Sequence, residues 1–385
     1  MKILEVITLG EIGGAQTVLV DLIKGFAQAN PDVEIDVFLG PGEYIPDALR
    51  NRFHGNIIQT PFLVRKIAPS KDLRAFIQLF NLCRTAKYDI VHCHSSKAAL
   101  LGRIAASMAG VPKVYVTVHG LPFCSETSQM ARRIYRTIEK ALIFMKASYI
   151  FVSPADLAEM NSMGLNPAKC RLIPNGRPVP GKPLVGLRNI LPGLTKESDI
   201  VCMIGRLAEV KNPLSFIRIA KAVIKKYPET LPAPHFVLIG EGPLRGLCEK
   251  TIREAGMSNW VHLPGAIENA GQHLWDSELV VMTSAYEACP LVGIEAMATG
   301  TPVVASNVGG MRNVVKHGQT GFLFSLNNEE EAADYIIRLL QDKPLFERLS
   351  RDCLTHYQAN FKVERMVNAY AKIFGLRECF NYDQG

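Results

Sequence analysis

Two doubly wound parallel α/β sheets are the fold class that this chain of 385 residues predicts, and three observations lead there. Short, near-continuous apolar runs rich in β-branched residues alternate with helical stretches, the pattern of parallel strands covered by helices on both faces. The rhythm stops once, at a Pro- and Gly-rich connector over residues 174–193, and then restarts. The length exceeds the roughly 100–200 residues of one domain, so both halves can hold full cores. One Rossmann-like domain is expected over residues 1–190 and a second over 191–360.

The first set of strands reads in order as KILEVIT (2–8), IDVFLG (35–40), DIVHCH (89–94), KVYVTVH (113–119) and YIFVSP (149–154). The second reads as DIVCMIG (199–205), HFVLIG (235–240), WVHLPG (260–265), LVVMTS (279–284) and TPVVAS (301–306). In sheets of this kind ligands sit beyond the carboxyl ends of the strands, and with two domains the expected site is the cleft between them. Each motif can therefore be judged by whether it directly follows a strand.

Composition excludes several classes. The hydrophobic share of 48% and charged share of 21% suit a globular protein, and no apolar stretch approaches the roughly 20 residues of a membrane span. The start, MKILEVITLG, enters a strand pattern at once, so a cytoplasmic protein is expected. Nine cysteines are scattered without a C-x-x-C pair, which favours reduced thiols over disulfides or zinc. Residues 1–190 carry 23 Lys+Arg against 14 Asp+Glu, and the remainder 20 against 22, so the first half is the one expected to meet something anionic. Nucleic acid is not expected, because no zinc-finger, helix-turn-helix or RNP-like signature accompanies the charge.

After the first strand, Gly13 and Gly14 open an amphipathic helix, where free amides attract phosphate and small residues admit a ligand; the same glycines would also suit a tight turn. The full G-x-G-x-x-G fingerprint is absent, so no nicotinamide cofactor is expected. His119 ends the strand KVYVTVH, where an imidazole could donate to a sugar hydroxyl or a developing charge, or be a satisfied structural histidine. His92 and His94 share one side of a strand, a spacing that suggests metal, but no third ligand is evident and no metal is expected. Ser95 or Ser96 is placed to cap the next helix.

The second half is richer. GRLAEVKN (205–212) puts Arg206 and Lys211 in one strand-to-helix loop, a fork and a point charge that together can grip a diphosphate. IGEGPLR (239–245) brings Gly240 and Glu241 to the next strand end, either for close backbone approach to a ligand or as a plain turn. SAYEACPLVGIEAMATG (284–300) places Glu287 in a loop before a helix that Pro290 opens and Gly300 ends, with Glu295 inside it. A carboxylate accepts two hydrogen bonds from a vicinal diol such as ribose. The loop amides around Ala288, Cys289, Pro290 and Leu291 offer further donors.

Together, GRLAEVKN followed by the E-x7-E stretch of Glu287 and Glu295, with GGAQ, IPNG (173–176), IGEGP and NVGGMRNVVKHGQTGFLF (307–324) in order, resemble the retaining glycosyltransferase family 4, of GT-B fold and bacterial surface-polysaccharide type. The resemblance spans nearly the whole chain. It implies a nucleotide-sugar donor held mainly by the second domain, and an acceptor held mainly by the first; a UDP-sugar is the expected donor and GDP-mannose the alternative. It also implies a final segment, 361–385, whose helix crosses back to the first domain. On that basis Arg206 and Lys211 bind the donor diphosphate, Glu295 the ribose, and Glu287 with residues 288–291 the donor sugar. Gly14 borders the phosphate, and His119 the sugar.

Transfer with retained configuration and no metal or other cofactor is the activity implied, the two cations stabilising charge on the leaving diphosphate. Relatives often carry Pro-Glu where this chain has Met311 and Arg312. The resemblance further implies a lipid-linked or oligosaccharide acceptor for exopolysaccharide, capsule or O-antigen. The segment 128–146 carries an apolar stripe (Met130, Ile134, Ile138, Ala141, Met145) beside Arg132, Arg136 and Lys140. It reads either as a peripheral contact with the inner face of an anionic membrane or as a surface helix packed on the sheet. A sugar-nucleotide epimerase and a non-catalytic nucleotide-sugar-binding protein are the alternative functions.

Overall fold

The structure, a computed structural model, describes residues 1–125 and 128–379. It divides into two units, Met1–Gly176 joined by the segment from Val363 onward, and Arg177–Lys362. The first unit holds strands β1 (Lys2–Ile7), β2 (Glu34–Leu39), β3 (Ile57–Gln59), β4 (Ile90–His94), β5 (Lys113–Val118), β6 (Ser148–Phe151) and β7 (Cys170–Leu172). Every pairing is parallel, in the order β3-β2-β1-β4-β5-β6-β7. The second unit holds β8 (Ile200–Ile204), β9 (His235–Ile239), β10 (Val261–Gly265), β11 (Leu279–Met282), β12 (Val303–Ser306) and β13 (Gly321–Phe324), parallel in the order β10-β9-β8-β11-β12-β13.

In each sheet the chain winds outward from one strand and then jumps back to its other side, between β1 and β4 and again between β8 and β11. Loops leaving these neighbours diverge and open a crevice at the carboxyl edge, the switch point where such sheets bind ligands. The strands are apolar because helices cover both faces: β4 is buried along its whole length and β1 at all positions but the first. Glu5, in the middle of β1, is fully buried, an exception that matters below.

Three strands lie outside the ten that the apolar runs mark. β3 and β7 are three-residue edges, and β7 buries only Cys170, so neither makes a run. β13 begins with Gly321, whose added Cβ would stand 1.9 Å from the Val303 carbonyl, and the strand is only four residues long. The connector also differs from expectation. The second unit begins at Arg177 rather than after 190, because Leu187 is fully buried with Ile200, Cys202, Val237 and Ile239. Arg188 ties the same segment to the carbonyls of Asp276 and Ser198 and to Glu278.

The last helix, Val363–Phe374, belongs to the first unit. The ring of Phe374 packs tilted against that of Phe26 on helix Gly14–Ala29, with centroids 5.7 Å apart, and a Cβ at Gly25 would meet Val367 at 2.5 Å, so the glycine lets the two helices touch. Helix Gln129–Leu142 is pinned from below: Glu139 lies 3.8 Å from Arg103, a fully buried guanidinium that also donates to the Ala99 carbonyl and the Tyr149 hydroxyl. All nine cysteines are free thiols.

Candidate active site

In the second unit the loops after β8, β9 and β11 are knitted into one platform. Gly205 and Leu207 donate their amides to the carbonyls of Ile239 and Glu241, and Leu244 returns one to Leu207. Gly240 has φ +151°, and a Cβ there would sit 1.9 Å from the Gly205 carbonyl oxygen. Its glycine is thus required by the neighbouring loop's backbone. Glu241 turns its carboxylate to Arg245, which also binds Glu249 at 2.8 Å.

Lys211 and Glu287 meet at the switch point. Lys211 ends a short 3-10 turn, and its carbonyl, with that of Asn212, lies within 2.9 Å of the Thr283 hydroxyl at the end of β11. Its ammonium donates to Glu287 Oε1 at 2.5 Å, and Ser284 donates to the same oxygen at 2.7 Å. The carbonyl of Glu287 accepts the Gly310 amide at 2.7 Å, joining the loop after β12 to the set. Ala288, Cys289 and Pro290 are buried, and Leu291, half-buried, starts helix Leu291–Thr299, which Gly300 ends at φ +76°. Arg206 is exposed and, among the described residues, its side chain has no partner.

Glu295 is not joined to that cluster: its Oε1 accepts from Arg177 Nε at 2.7 Å, with both side chains mostly buried. Arg177 is a functional candidate that the sequence reading missed. Its only signal is adjacency to the IPNG motif. Arg312 is exposed and folds back on Asn307 at 2.5 Å.

In the first unit Gly13 stands before helix Gly14–Ala29 in an extended conformation, φ 179°, that any residue adopts; its added Cβ would meet only the Gln16 side chain. Ser95 holds the cap position of helix Ser96–Met108, yet its hydroxyl bonds Thr8 Oγ1 at 2.6 Å instead of capping, and Ser96 is already helical. His92 and His94 gain the third polar group that the sequence did not reveal. Glu5 Oε2 lies 3.0 Å from His94 Nε2 and 2.9 Å from His92 Nδ1, and all three residues are fully buried. His94 Nδ1 reaches His119 Nε2 at 2.9 Å, and His92 Nε2 reaches Thr117 Oγ1 at 2.7 Å. Thr117 in turn meets the Tyr370 hydroxyl at 3.0 Å.

Burial alone would raise the Glu5 carboxyl, but the imidazoles of His92 and His94 overcome it and hold it down at about 2. Burial, with His92 nearby, lowers His94 to about 4. Burial, then His94 and His92, puts His119 well below the ordinary imidazole range. At pH 7 Glu5 is therefore ionised, and His94 and His119 are neutral.

The comparisons with known proteins agree with this architecture. Residues 12–179 match the family model Glycosyltransferase Family 4, and residues 192–353 match Glycosyl transferases group 1. The Escherichia coli UDP-Gal:alpha-D-GlcNAc-diphosphoundecaprenol alpha-1,3-galactosyltransferase is 31% identical over 356 residues, 89% of this chain and 90% of that one. The Bacillus anthracis N-acetyl-alpha-D-glucosaminyl L-malate synthase is 22% identical over 371 residues, 94% of each chain. The crystal structure of Anabaena HepE in complex with UDP and glucose superposes with a TM-score of 0.80 at 21% identity, covering 97% of this chain and 99% of that one. Fold and relatives define a nucleotide-sugar-dependent glycosyltransferase of GT-B type. The chain belongs to glycosyltransferase family 4.

Proposed function

We propose that the enzyme transfers a hexose, with retained configuration and without a metal, from a UDP-sugar to a lipid-diphosphate-linked glycan in bacterial surface-polysaccharide synthesis. The observation that carries this reading is the pairing of Lys211 with Glu287 at the second unit's switch point, with Arg206 in the same loop exposed and without a side-chain partner among the described residues. Arg206 and Lys211 there take the two phosphates and stabilise the charge that grows on the departing diphosphate, a role that preorganised cations fill without a divalent ion. Glu287, tied through Oε1 to Lys211 and Ser284, is a weak nucleophile in that state. It positions the lysine and the donor sugar, which favours front-face transfer over a covalent glycosyl intermediate. Glu295 takes the ribose diol, held in aim by Arg177.

The acceptor class rests on the E. coli relative, which is named for a diphosphoundecaprenol-linked substrate. No helix of the described residues is long and apolar enough to cross a membrane. Helix Gln129–Leu142 nonetheless leaves Met130 67% and Ile134 49% exposed, with Phe144 85% exposed just beyond it. The apolar stripe is thus only partly packed inward. Arg132, Arg133, Arg136 and Lys140 are exposed on the same helix. An apolar ridge beside four cations suits the anionic inner face of the plasma membrane, where a lipid-linked acceptor is met.

The test is a panel of UDP- and GDP-sugars offered with undecaprenyl-diphosphate-linked GlcNAc, products being analysed by mass spectrometry and the new bond by NMR. Transfer of one hexose in the donor's own anomeric configuration, unaffected by EDTA, is expected. Inversion, an absolute requirement for added divalent cation, or conversion of the donor without an acceptor each counts against the corresponding part of the proposal.

A further inference from the structure

The buried chain in the first unit leads from a carboxylate inside the sheet to a histidine at its carboxyl edge. Glu5 is set on β1 directly opposite His92 on β4, and His94 lies two residues further along the same strand. His119 follows the end of β5. Nothing assigned to donor binding uses Glu5 or His94.

The direction of each hydrogen bond is fixed by elementary chemistry. An ionised carboxylate only accepts, so His94 must present Nε2–H to Glu5 Oε2 across their 3.0 Å contact. A neutral imidazole carries one proton, which leaves the other nitrogen of His94, Nδ1, as a lone pair. That lone pair faces His119 Nε2 at 2.9 Å, so His119 must be the donor there. His119, neutral in its turn, has its remaining lone pair on Nδ1. Among the described residues that atom has no hydrogen-bond partner, and His119 is only half-buried.

We infer that Glu5 and His94 are positioning residues that lock His119 in its Nε2–H tautomer, so that His119 offers Nδ1 to a hydroxyl of the donor sugar as an acceptor. This rests on the reading of His119 as a neighbour of the sugar. It reverses the expected role of that imidazole as a donor. The depressed affinity of His119 for a proton points the same way, because the doubly protonated ring that could donate from both nitrogens is disfavoured. The chain also explains why a glutamate stands in an otherwise apolar strand: it sets the polarity of every bond outward to the sheet edge. Its second oxygen, Oε1, is buried and has no hydrogen-bond partner among the described residues, so the contacts that hold the carboxylate are those at Oε2.

A metal ion held by Glu5, His92 and His94, whose ligand atoms lie within 4.8 Å of one another, predicts the opposite arrangement. Coordination would take the lone pair of His94 Nε2 and move its proton to Nδ1. His119 would then have to accept at Nε2 and carry its proton on Nδ1. The tautomer of His119 therefore separates the two cases.

The experiment is a two-bond 1H–15N correlation spectrum of the full chain with 15N-labelled histidine, without ligand near pH 7.5. The His119 signal is assigned by its loss in His119→Gln, and metal content is measured on the same sample. The expected result is an Nε2–H, Nδ1-unprotonated ring for His119 and no stoichiometric metal. A His119 protonated on Nδ1, an averaged mixture of tautomers, or one equivalent of tightly bound transition metal would overturn the inference. This arm needs no turnover, so it stands apart from the assignment of the reaction.

The second arm compares Glu5→Gln with the wild type. The variant is expected to bind UDP with unchanged affinity and to lose roughly 10- to 100-fold in kcat/KM for the UDP-sugar, the range for one misdirected hydrogen bond. Its His119 signal should move to a mixture of tautomers. Unchanged kcat/KM in a variant with a disturbed tautomer would overturn the positioning role. A wild type inactive on every donor would instead refute the proposed function.

Discussion

The two switch points use the same topology and opposite chemistry. In the second unit the polar groups sit on loops: Arg206 is exposed, Lys211 and Glu287 pair at 2.5 Å, and glycines let three loops touch. In the first unit they sit inside the strands, as a buried carboxylate and histidines from which a hydrogen-bond chain reaches His119 after the end of β5. One arrangement presents fixed charge and the other passes hydrogen-bond direction. On the proposed function the difference serves two tasks: holding an anion whose charge grows during reaction, and orienting a neutral sugar.

The largest expected effect breaks the charged side of this contrast. Lys211→Ala should lower kcat/KM by about 10²- to 10³-fold, as loss of one preorganised stabiliser of a developing anion does. Steady-state assays with the donor found in the panel measure it, and a loss under 10-fold would move the charge stabilisation elsewhere.

The glycines sharpen the same comparison through stability. Gly240→Ala would force a strained φ and a clash with the Gly205 backbone, and should destabilise the second unit by about 1–3 kcal/mol. The two tryptophans, Trp260 and Trp275, both lie in that unit, so urea unfolding followed by their fluorescence reports it directly. An unshifted midpoint would contradict the packing described.

Acid tests the buried carboxylate and histidine of the first unit. His94 is lowered to about 4 from 6.5 and Glu5 to about 2 from 4.5. In both cases the unfolded chain binds more protons between the two values, so stability rises with pH there. The His94 contribution is present above pH 6.5 and is lost toward 4. The Glu5 contribution is present above 4.5 and is lost toward 2. Hydrogen exchange should therefore show protection of β1 and β4 falling as pH falls from 6.5 toward 4, and protection unchanged over that range would contradict the buried, neutral state of His94. The second unit has an acid-sensitive group of its own, since burial, with His235 nearby, lowers His262 to about 4.

The smallest stability effect is expected at Gly13→Ala. The extended backbone there suits any residue and the added methyl group meets only Gln16, so the unfolding midpoint should move by less than about 1 kcal/mol. Turnover should fall all the same, because on the proposed reading the glycine is kept for a close-lying ligand. A variant as active as the wild type would reduce Gly13 to a turn residue.

This contrast also explains what was legible in the sequence. Arg206, Lys211 and Glu287 follow apolar runs at short range, so strand ends identify them without knowledge of pairing. Glu5 cannot be found that way: its partners stand some 87 and 89 residues later, and only the register that sets Glu5 opposite His92 brings them together. The pairing of Arg177 with Glu295 spans 118 residues and begins in a connector whose Pro and Gly content marks it as irregular. The edge strands β3, β7 and β13 were hidden by brevity, since three or four residues make no periodicity.

Calorimetric titration of UDP into the wild type and into the double variant Arg206→Ala, Lys211→Ala tests most directly whether two fixed cations serve as the diphosphate's counter-charge. Charge-assisted contacts of this kind contribute roughly 1.5–3 kcal/mol each, so affinity should fall by at least about 100-fold while the fold, followed by tryptophan fluorescence, is kept. A folded double variant that binds UDP as tightly as the wild type would contradict the account.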